Sequence, residues 1–354
     1  MKILVGISGG VDSAYCARLL LDLGHEVEGC ILIMHDYSDT EGADRVASEL
    51  GIPVHKVDLR GLFDSEVKKY FVDEYLHGRT PNPCIICNER VKFKGLLDFA
   101  EANGFDKIAT GHYARIGTVT VDGAKKHILL KAKDLSKDQS YMLYRLPESI
   151  LSKTLFPLGE LTKDTVRDRS RTFGISAADA KDSQEICFLP NGGYPEYIES
   201  VVGKLPCGSF IDENGNLLGE HKGIIRYTVG QRKGLGIALG KRMFVVSIDP
   251  VENTVTLGDE LKGKEEIVIG NISLSPALKP DLLNLSGASI DTADPFTLPL
   301  SVKIRYTAPL IGCELTPSSD GKYKLKLETS AKAAPGQSAV IYSGDRVVLG
   351  GIIE

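Results

Sequence analysis

The stretch Ile3-Leu4-Val5-Gly6-Ile7-Ser8-Gly9-Gly10-Val11-Asp12-Ser13 runs from an apolar strand through a glycine turn into a helix. Such a unit aims backbone N–H groups and the positive end of a helix at one point, where an anion is stabilised. Gly9 and Gly10 remove the Cβ atoms that would hold a phosphate away from the backbone. The order differs from G-x-x-x-x-G-K-[ST], whose lysine meets the β and γ phosphates, and from the dinucleotide pattern G-x-G-x-x-G. Kinases, GTPases and dehydrogenases therefore lose ground. The bland alternative is an ordinary glycine turn capped by Asp12 and Ser13.

Outward from this loop, apolar strands at residues 3–7, 27–34, 54–57 and 107–110 alternate with helices at 13–23, 39–50, 62–76 and 88–103. That alternation predicts a doubly wound α/β fold with a parallel sheet covered on both faces. A further helix is expected after Thr162, a good N-cap, with Leu161 and Val166 spaced as a hydrophobic staple. Beyond Cys187 the chain turns to glycine- and proline-rich segments with short alternating runs, which suit small β-rich modules. The expected domains are 1–195, a catalytic α/β unit; 196–260, a small central domain; and 261–354, a β-barrel.

With 354 residues, 42% hydrophobic and 25% charged, the composition is that of a globular protein of two or three domains. No apolar run reaches the length of a membrane span, and no signal-peptide pattern precedes the first strand, so a cytoplasmic protein is expected. Seven cysteines without an export signal favour reduced thiols over a disulfide framework. The net charge of −5 excludes a uniformly basic surface but hides a local patch. Lys222, Arg226, Arg232, Lys233, Lys241 and Arg242 occur between residues 221 and 248 without one Asp or Glu, among glycines that let backbone approach phosphates. Lys163, Arg167 and Arg171 share a helical face and predict a second basic stripe.

Residues 78–88, GRTPNPCIICN, set Cys84 and Cys87 in a C-x-x-C loop before a helix. The helix N-terminus and the nearby Arg90 and Lys92 are expected to favour thiolates there. Cys187 follows in KDSQEICFLP. Cys16, Cys30, Cys207 and Cys313 lack a partner motif and read as packing residues.

The first loop resembles the PP-loop of the ATP pyrophosphatases, which split ATP between the α and β phosphates and leave AMP on the substrate. With the cysteines the resemblance narrows. SGGVDS at Ser8, GRTPNP-x-x-x-CN around Cys87, TGHYAR at Thr110, LSKDQSYML at Leu135, ICF at Ile186, TVGQRKGLGI at Thr228 and IRY at Ile304 span nearly the whole chain. In that order they resemble the bacterial tRNA-specific 2-thiouridylases. The resemblance implies ATP at Gly6, Ile7, Ser8, Gly9, Gly10, Val11, Asp12 and Ser13, with Leu32 at the end of the second strand near adenine and Gly111 after the fourth; Asp12 is expected to help hold Mg2+ on the phosphates. It implies Cys187 as persulfide carrier and Cys87 as its partner in thiolation of the wobble uridine, U34. Asn82, Pro83 and Cys84 are expected to border the base, and His112, Lys137, Asp138, Gln139, Arg305, Tyr306 and Gln337 to contact tRNA. Partners implied are tRNA and a sulfur donor, either a cysteine desulfurase or a sulfur-relay protein; a monomer is expected.

The chain departs from the common family pattern at Cys84, where many members carry Asp, which leaves an acid–base role there in doubt. Cys84, Cys87 and Cys187 offer a second mechanism as three ligands of a [4Fe–4S] cluster with one iron open. A structural zinc is a weaker reading, because closed zinc sites want four ligands. Two other functions compete: an ATP-dependent amidotransferase, which would leave the cysteines without a task, and a tRNA-binding module without catalysis.

Overall fold

The computed structural model describes residues 1–180, 186–189, 193–237, 240–278, 299–318 and 320–354. Strands β1 (Lys2–Gly6), β2 (Glu26–Ile33), β3 (Val54–Asp58) and β4 (Lys107–Ala109) alternate with α1 (Val11–Asp22), α2 (Thr40–Leu50) and two longer helical runs. The first run is α3 (Arg60–Phe63), a π-helical stretch Asp64–Lys68 and α4 (Lys69–Leu76); the second is α5 (Pro83–Cys87), a π-helical stretch Asn88–Lys92 and α6 (Phe93–Ala102). A hairpin follows, β5 (Arg115–Val121) and β6 (Ala124–Leu130), then α7 (Ser140–Leu143), α8 (Glu148–Leu151), β7 (Thr154–Leu155) and α9 (Lys163–Thr172).

The first sheet has the order β3-β2-β1-β4-β7 with every pairing parallel. Ile3, Leu4 and Val5 of β1 are fully buried, as a strand covered on both faces requires. Helix α1 packs Ala14, Cys16, Ala17 and Leu20 against that sheet, and Gly24 turns away from it at a φ of 77°.

In the central domain α10 (Tyr194–Val202) precedes β8 (Gly208–Asp212), β9 (Leu217–His221), β10 (Phe244–Asp249) and β11 (Thr254–Gly258), ordered β10-β11-β8-β9. The C-terminal strands are β12 (Lys264–Leu274), β13 (Leu300–Lys303), β14 (Ile311–Pro317), β15 (Tyr323–Ala331), β16 (Ser338–Ser343) and β17 (Arg346–Ile353). They run β12-β15-β14-β13-β16-β17, and β17 pairs with β12 to close a six-stranded barrel. Hairpin strand β6 adds to β17 where Leu130 meets Arg346.

Two of the boundaries that differ from expectation have a visible cause. The helix expected at 88–103 begins at Pro83, because Asn82 is its N-cap: Oδ1 accepts from the Cys84 N–H at 3.2 Å and Pro83 occupies the first turn. Cys84 and Cys87 therefore sit in a helical turn, not in a loop before one. The helix expected from residue 62 starts at Arg60, where Asp58 accepts the Arg60 N–H at 3.0 Å.

Candidate active site

The chain passes from β1 to β2 and β3 on one side and returns to place β4 on the other, so strand order reverses between β1 and β4. Ligands of parallel sheets bind outside the carboxyl ends of the strands at such a point. A cleft of about 1210 Å³ opens there, lined by Gly6, Ile7, Ser8, Asp12 and Ser13, by Leu32 of β2, and by Thr110, Gly111 and His112 after β4. Gly10 caps α1 without a side-chain acceptor, which leaves first-turn N–H groups for an anion. The loop braces itself: the Ser8 N–H donates to Ser13 Oγ at 3.1 Å, and that hydroxyl donates to the Gly10 carbonyl at 3.0 Å. Gly9 holds a φ of 80°, and a Cβ there would lie 2.9 Å from the Asp39 carboxylate. A Cβ at Gly111 would lie 2.6 Å from the Asp12 carbonyl carbon, so only glycine lets the β4 loop rest on the first loop.

Asp12 is held by two donors. Lys163 Nζ reaches its two oxygens at 2.8 and 2.7 Å, and the Tyr113 hydroxyl donates to Oδ1 at 2.8 Å. Lys163 is buried at the first position of α9, delivered by the Thr162 cap, whose Oγ1 accepts the Thr165 N–H at 3.2 Å. The expected basic stripe is thus not a free surface. Lys163 turns inward, Arg171 pairs with Asp168 and Asp179, and Arg167 donates to the carbonyls of Ala178 and Ala180 while also lining the cleft. The cause is competition: buried and neighbouring acceptors take charges that helical spacing alone would leave to solvent.

All seven cysteines are free thiols. Cys187 is exposed and lines the cleft, Cys84 is exposed, and Cys87 is buried with its thiol 3.7 Å from Met34 Sδ. Burial pushes Cys87 up to about 12, and desolvation by the protein packed around their sulfurs raises Cys84 and Cys187 although part of each residue reaches solvent, so the expected thiolates do not arise from helix and basic neighbours alone. Lys92 opposes the rise at all three, and the Lys92 N–H adds to this at Cys87. Lys92 lines the cleft with His112 and Cys187. Arg90 instead turns outward onto Glu66 and Glu89. Among the described residues no three His, Cys, Asp or Glu side chains are gathered to share one metal ion. Residues 181–185 and 190 of the Cys187 motif lie outside the described residues.

Of the remaining expected residues, His112 and Gln139 line the cleft. Burial and Lys92 push His112 down to about 3, which leaves a neutral imidazole whose Nδ1 lies 2.8 Å from Thr110 Oγ1. Gln139 Oε1 accepts the Tyr113 N–H at 2.9 Å. Asp138 is buried, and its oxygens accept from Ala132 N, Ser140 N and Ser140 Oγ, so its carboxylate braces the fold. Lys137 is half-buried two residues before Gln139. Asn82 and Asn88 both donate to Met142, at Sδ (3.4 Å) and at the carbonyl (3.0 Å), so the residue-135 motif props the cysteine segment. Arg305 and Tyr306 follow β13; Arg305 Nε is buried without a hydrogen-bond partner among the described residues, and the Tyr306 ring faces Tyr141 at 6.2 Å. Gln337 Nε2 donates to the Thr80 carbonyl at 2.7 Å. In the central domain Arg232, Lys241 and Arg242 line a concavity of about 620 Å³, whereas Arg226 is drawn off by Glu196 and Glu199.

Residues 1–191 match the family model of a tRNA methyl transferase HUP domain, 195–259 that of a tRNA methyl transferase PRC-barrel domain, and 289–353 that of an aminomethyltransferase beta-barrel domain. The tRNA-specific 2-thiouridylase MnmA of Acetivibrio thermocellus is 43% identical across 100% of this chain and 99% of its own length. Those of Clostridium perfringens and Treponema denticola are 42% and 41% identical, each across 100% of this chain and 98% of the relative. The chain belongs to the tRNA-specific 2-thiouridylase family. In this thiouridylase the sequence reading passed over Tyr113 and took Lys163 for a surface charge. The available signal was position: a lysine at the first turn of a helix that packs on α1 is aimed at the phosphate loop.

Proposed function

We propose that this thiouridylase is an ATP-dependent tRNA-uridine 2-sulfurtransferase acting on the wobble uridine, U34. The observation that carries the reading is that Cys187 and the phosphate loop line one cleft. The C2 oxygen of the uridine attacks the α phosphate of ATP, pyrophosphate leaves, and the oxygen becomes part of an AMP leaving group. The terminal sulfur of a Cys187 persulfide then attacks C2 and AMP departs with the oxygen. Cys87, as thiolate, attacks Cys187 Sγ; the S–S bond breaks, its electron pair stays on the sulfur now bound to C2, and a Cys87–Cys187 disulfide remains for a thiol reductant to open.

Residues Gly6 to Ser13 would hold the phosphates, with Leu32 and Gly111 beside adenine and Lys163 supplying positive charge near the loop. Asp12 is the expected Mg2+ ligand, yet in this structure both its oxygens are engaged by Lys163, which itself brings positive charge to that point. Cys84, Cys87 and Cys187 are near enough to act electrostatically on one another, though among the described residues they are not gathered to share one metal ion; in the second mechanism they would be the thiolate ligands of the iron–sulfur cluster. Cys87 must lose a proton held to about pH 12, and Lys92 is the cation placed to ease that loss. Arg232 and Arg242 suit the tRNA backbone, while His112, Gln139, Arg305 and Tyr306 stand nearer the base. The units 1–195, 196–260 and 261–354 divide this work as catalysis, tRNA docking and support, in a cytoplasmic monomer supplied by a cysteine desulfurase or a sulfur-relay protein.

The test supplies the protein with ATP, Mg2+, unmodified tRNA and a persulfide donor, and reads 2-thiouridine by nucleoside mass spectrometry. ATP-dependent product that vanishes in Cys187→Ser and in Cys87→Ser is expected. Product from Cys187→Ser at the wild-type rate would overturn the persulfide route, and an aminated nucleoside formed when ammonium replaces the persulfide donor would favour the amidotransferase.

A further inference from the structure

The helical turn that carries Cys84 and Cys87 is tied to the C-terminal barrel on both sides. On its N-terminal side the Thr80 N–H donates to the Pro335 carbonyl at 2.8 Å, and Gln337 Nε2 donates to the Thr80 carbonyl at 2.7 Å. Both backbone groups of Thr80 are therefore claimed by one barrel corner. That corner fits closely: a Cβ on Gly336 would lie 2.7 Å from the Thr80 nitrogen. On the C-terminal side Glu89 accepts from Arg145 Nε at 2.8 Å, and the same guanidinium donates to the carbonyl and Oδ1 of Asn271 at 2.9 and 3.1 Å. Asn271 holds a φ of 47° at a register shift in β12, so the strand is bent where it meets Arg145.

We propose that the barrel positions the Cys84–Cys87 turn, with Gln337 and Asn271 as positioning residues that hold it in place. Gln337 thereby has a task in the protein without tRNA, beyond the contact its motif implies. Thr80 lies four residues before Cys84 and Glu89 two after Cys87, so a shift at either tether moves the thiols directly. The kinetic part of the test rests on the proposed sulfur transfer; the thiol-reactivity part does not.

In the full chain without tRNA or ATP, alkylation of Cys84 by iodoacetamide is followed by peptide mass spectrometry, with Tm measured alongside. Three variants are compared with wild type: Gln337→Ala; Gln337→Glu, which keeps the length but removes the donor; and Asn271→Gly, which keeps the backbone bend. Cys84 should alkylate about fivefold faster in each, the change expected for one lost tether. Cys207, exposed in the central domain, reports an unchanged rate. With saturating tRNA and ATP, kcat should fall about tenfold, since small misplacements of reacting groups are costly. Wild-type Cys84 reactivity in Gln337→Glu and Asn271→Gly would overturn the proposal. So would a rise in KM for tRNA at constant kcat in Gln337→Glu, which assigns Gln337 to tRNA contact alone. If Gln337→Ala fails to fold, the other two variants decide.

Discussion

Lys163 reaches from the start of α9 to Asp12, a contact between residues 151 positions apart. The lysine side chain is 7% exposed and the aspartate 34%, so neither charge is fully hydrated. Lys163→Met keeps the stem's packing and strands the carboxylate. The expected loss of stability is about 2 kcal/mol, below the ~3–5 kcal/mol of a fully buried pair because water reaches part of Asp12. Loss of the charge should also raise KM for ATP; a Tm and an ATP KM both at wild-type values would sink this reading. His112 makes a second prediction. Its folded value of about 3 lies below the ordinary 6.5, so above pH 6.5 both states are neutral and its contribution is complete. As pH falls from 6.5 toward 3 the unfolded chain binds a proton that the folded one refuses, and stability is lost. His112→Gln should flatten the acid limb of a Tm–pH curve over that window, and an identical curve would exclude the residue as its source. At this scale a sequence shows which residues carry charge but not which partner the fold brings to them: Lys163 meets Asp12, and Asp138 meets the N–H groups of Ala132 and Ser140.

The two elements that meet at the phosphate loop, α1 and the turn after β4, were both legible: one from its glycines and helical spacing, the other from an apolar run ending in Thr110-Gly111-His112. Their contact was not, because it depends on where β4 joins the sheet. Gly111→Ala tests it. The new methyl would press on the backbone of Asp12 and Ser13 at 2.6 to 2.8 Å, where no flexible side chain can yield. The expected cost is about 1–3 kcal/mol of stability, as for other overpacked sites. A several-fold weaker ATP affinity should accompany it; titration calorimetry giving the wild-type Kd would show that the loop does not bind the nucleotide. The cysteine helix was read too short because Gly78, Pro81 and Pro83 look like loop punctuation. Asn82 followed by Pro83 is nonetheless the pattern of a cap and a first helical position. The π-helical stretch at Asn88–Lys92 had no sequence signal, although such insertions cluster at functional sites. It carries the chain from Cys87 to Lys92, which helical spacing of 3.6 would set on different faces.

The α/β sheet and the C-terminal barrel were each readable as separate patterns, but their union was not. The link is the hairpin β5–β6, whose turn residues Asp122 and Gly123 both have positive φ, 50° and 76°. That Asp-Gly pair between alternating runs is a hairpin signal, yet nothing in it says which sheet the hairpin will join. It joins β17, and the core beneath it mixes Phe93, Leu96 and Ile108 of the first domain with Val340, Tyr342 and Val347 of the barrel. Tyr141 and Tyr144 add hydrogen bonds to Ser338 at 2.8 and 3.2 Å. An apolar core shared in this way does not separate without exposing both faces, at about 25 cal/mol per Å². The first domain and the barrel should therefore melt together, with calorimetric and van't Hoff enthalpies agreeing for that transition. The central domain adds a core of its own around Phe210, Val245 and Leu257, while its Ile198 and Ile225 pack with Phe63 and Phe71 of the first domain. Gly350→Ala sharpens the test, since its methyl would lie 2.5 Å from the Tyr144 ring at the seam between sheet and barrel. It should lower the shared transition and broaden it. If limited proteolysis of the wild-type protein near its Tm releases an intact barrel while the α/β domain stays folded, the two are independent units and the shared core does not couple them.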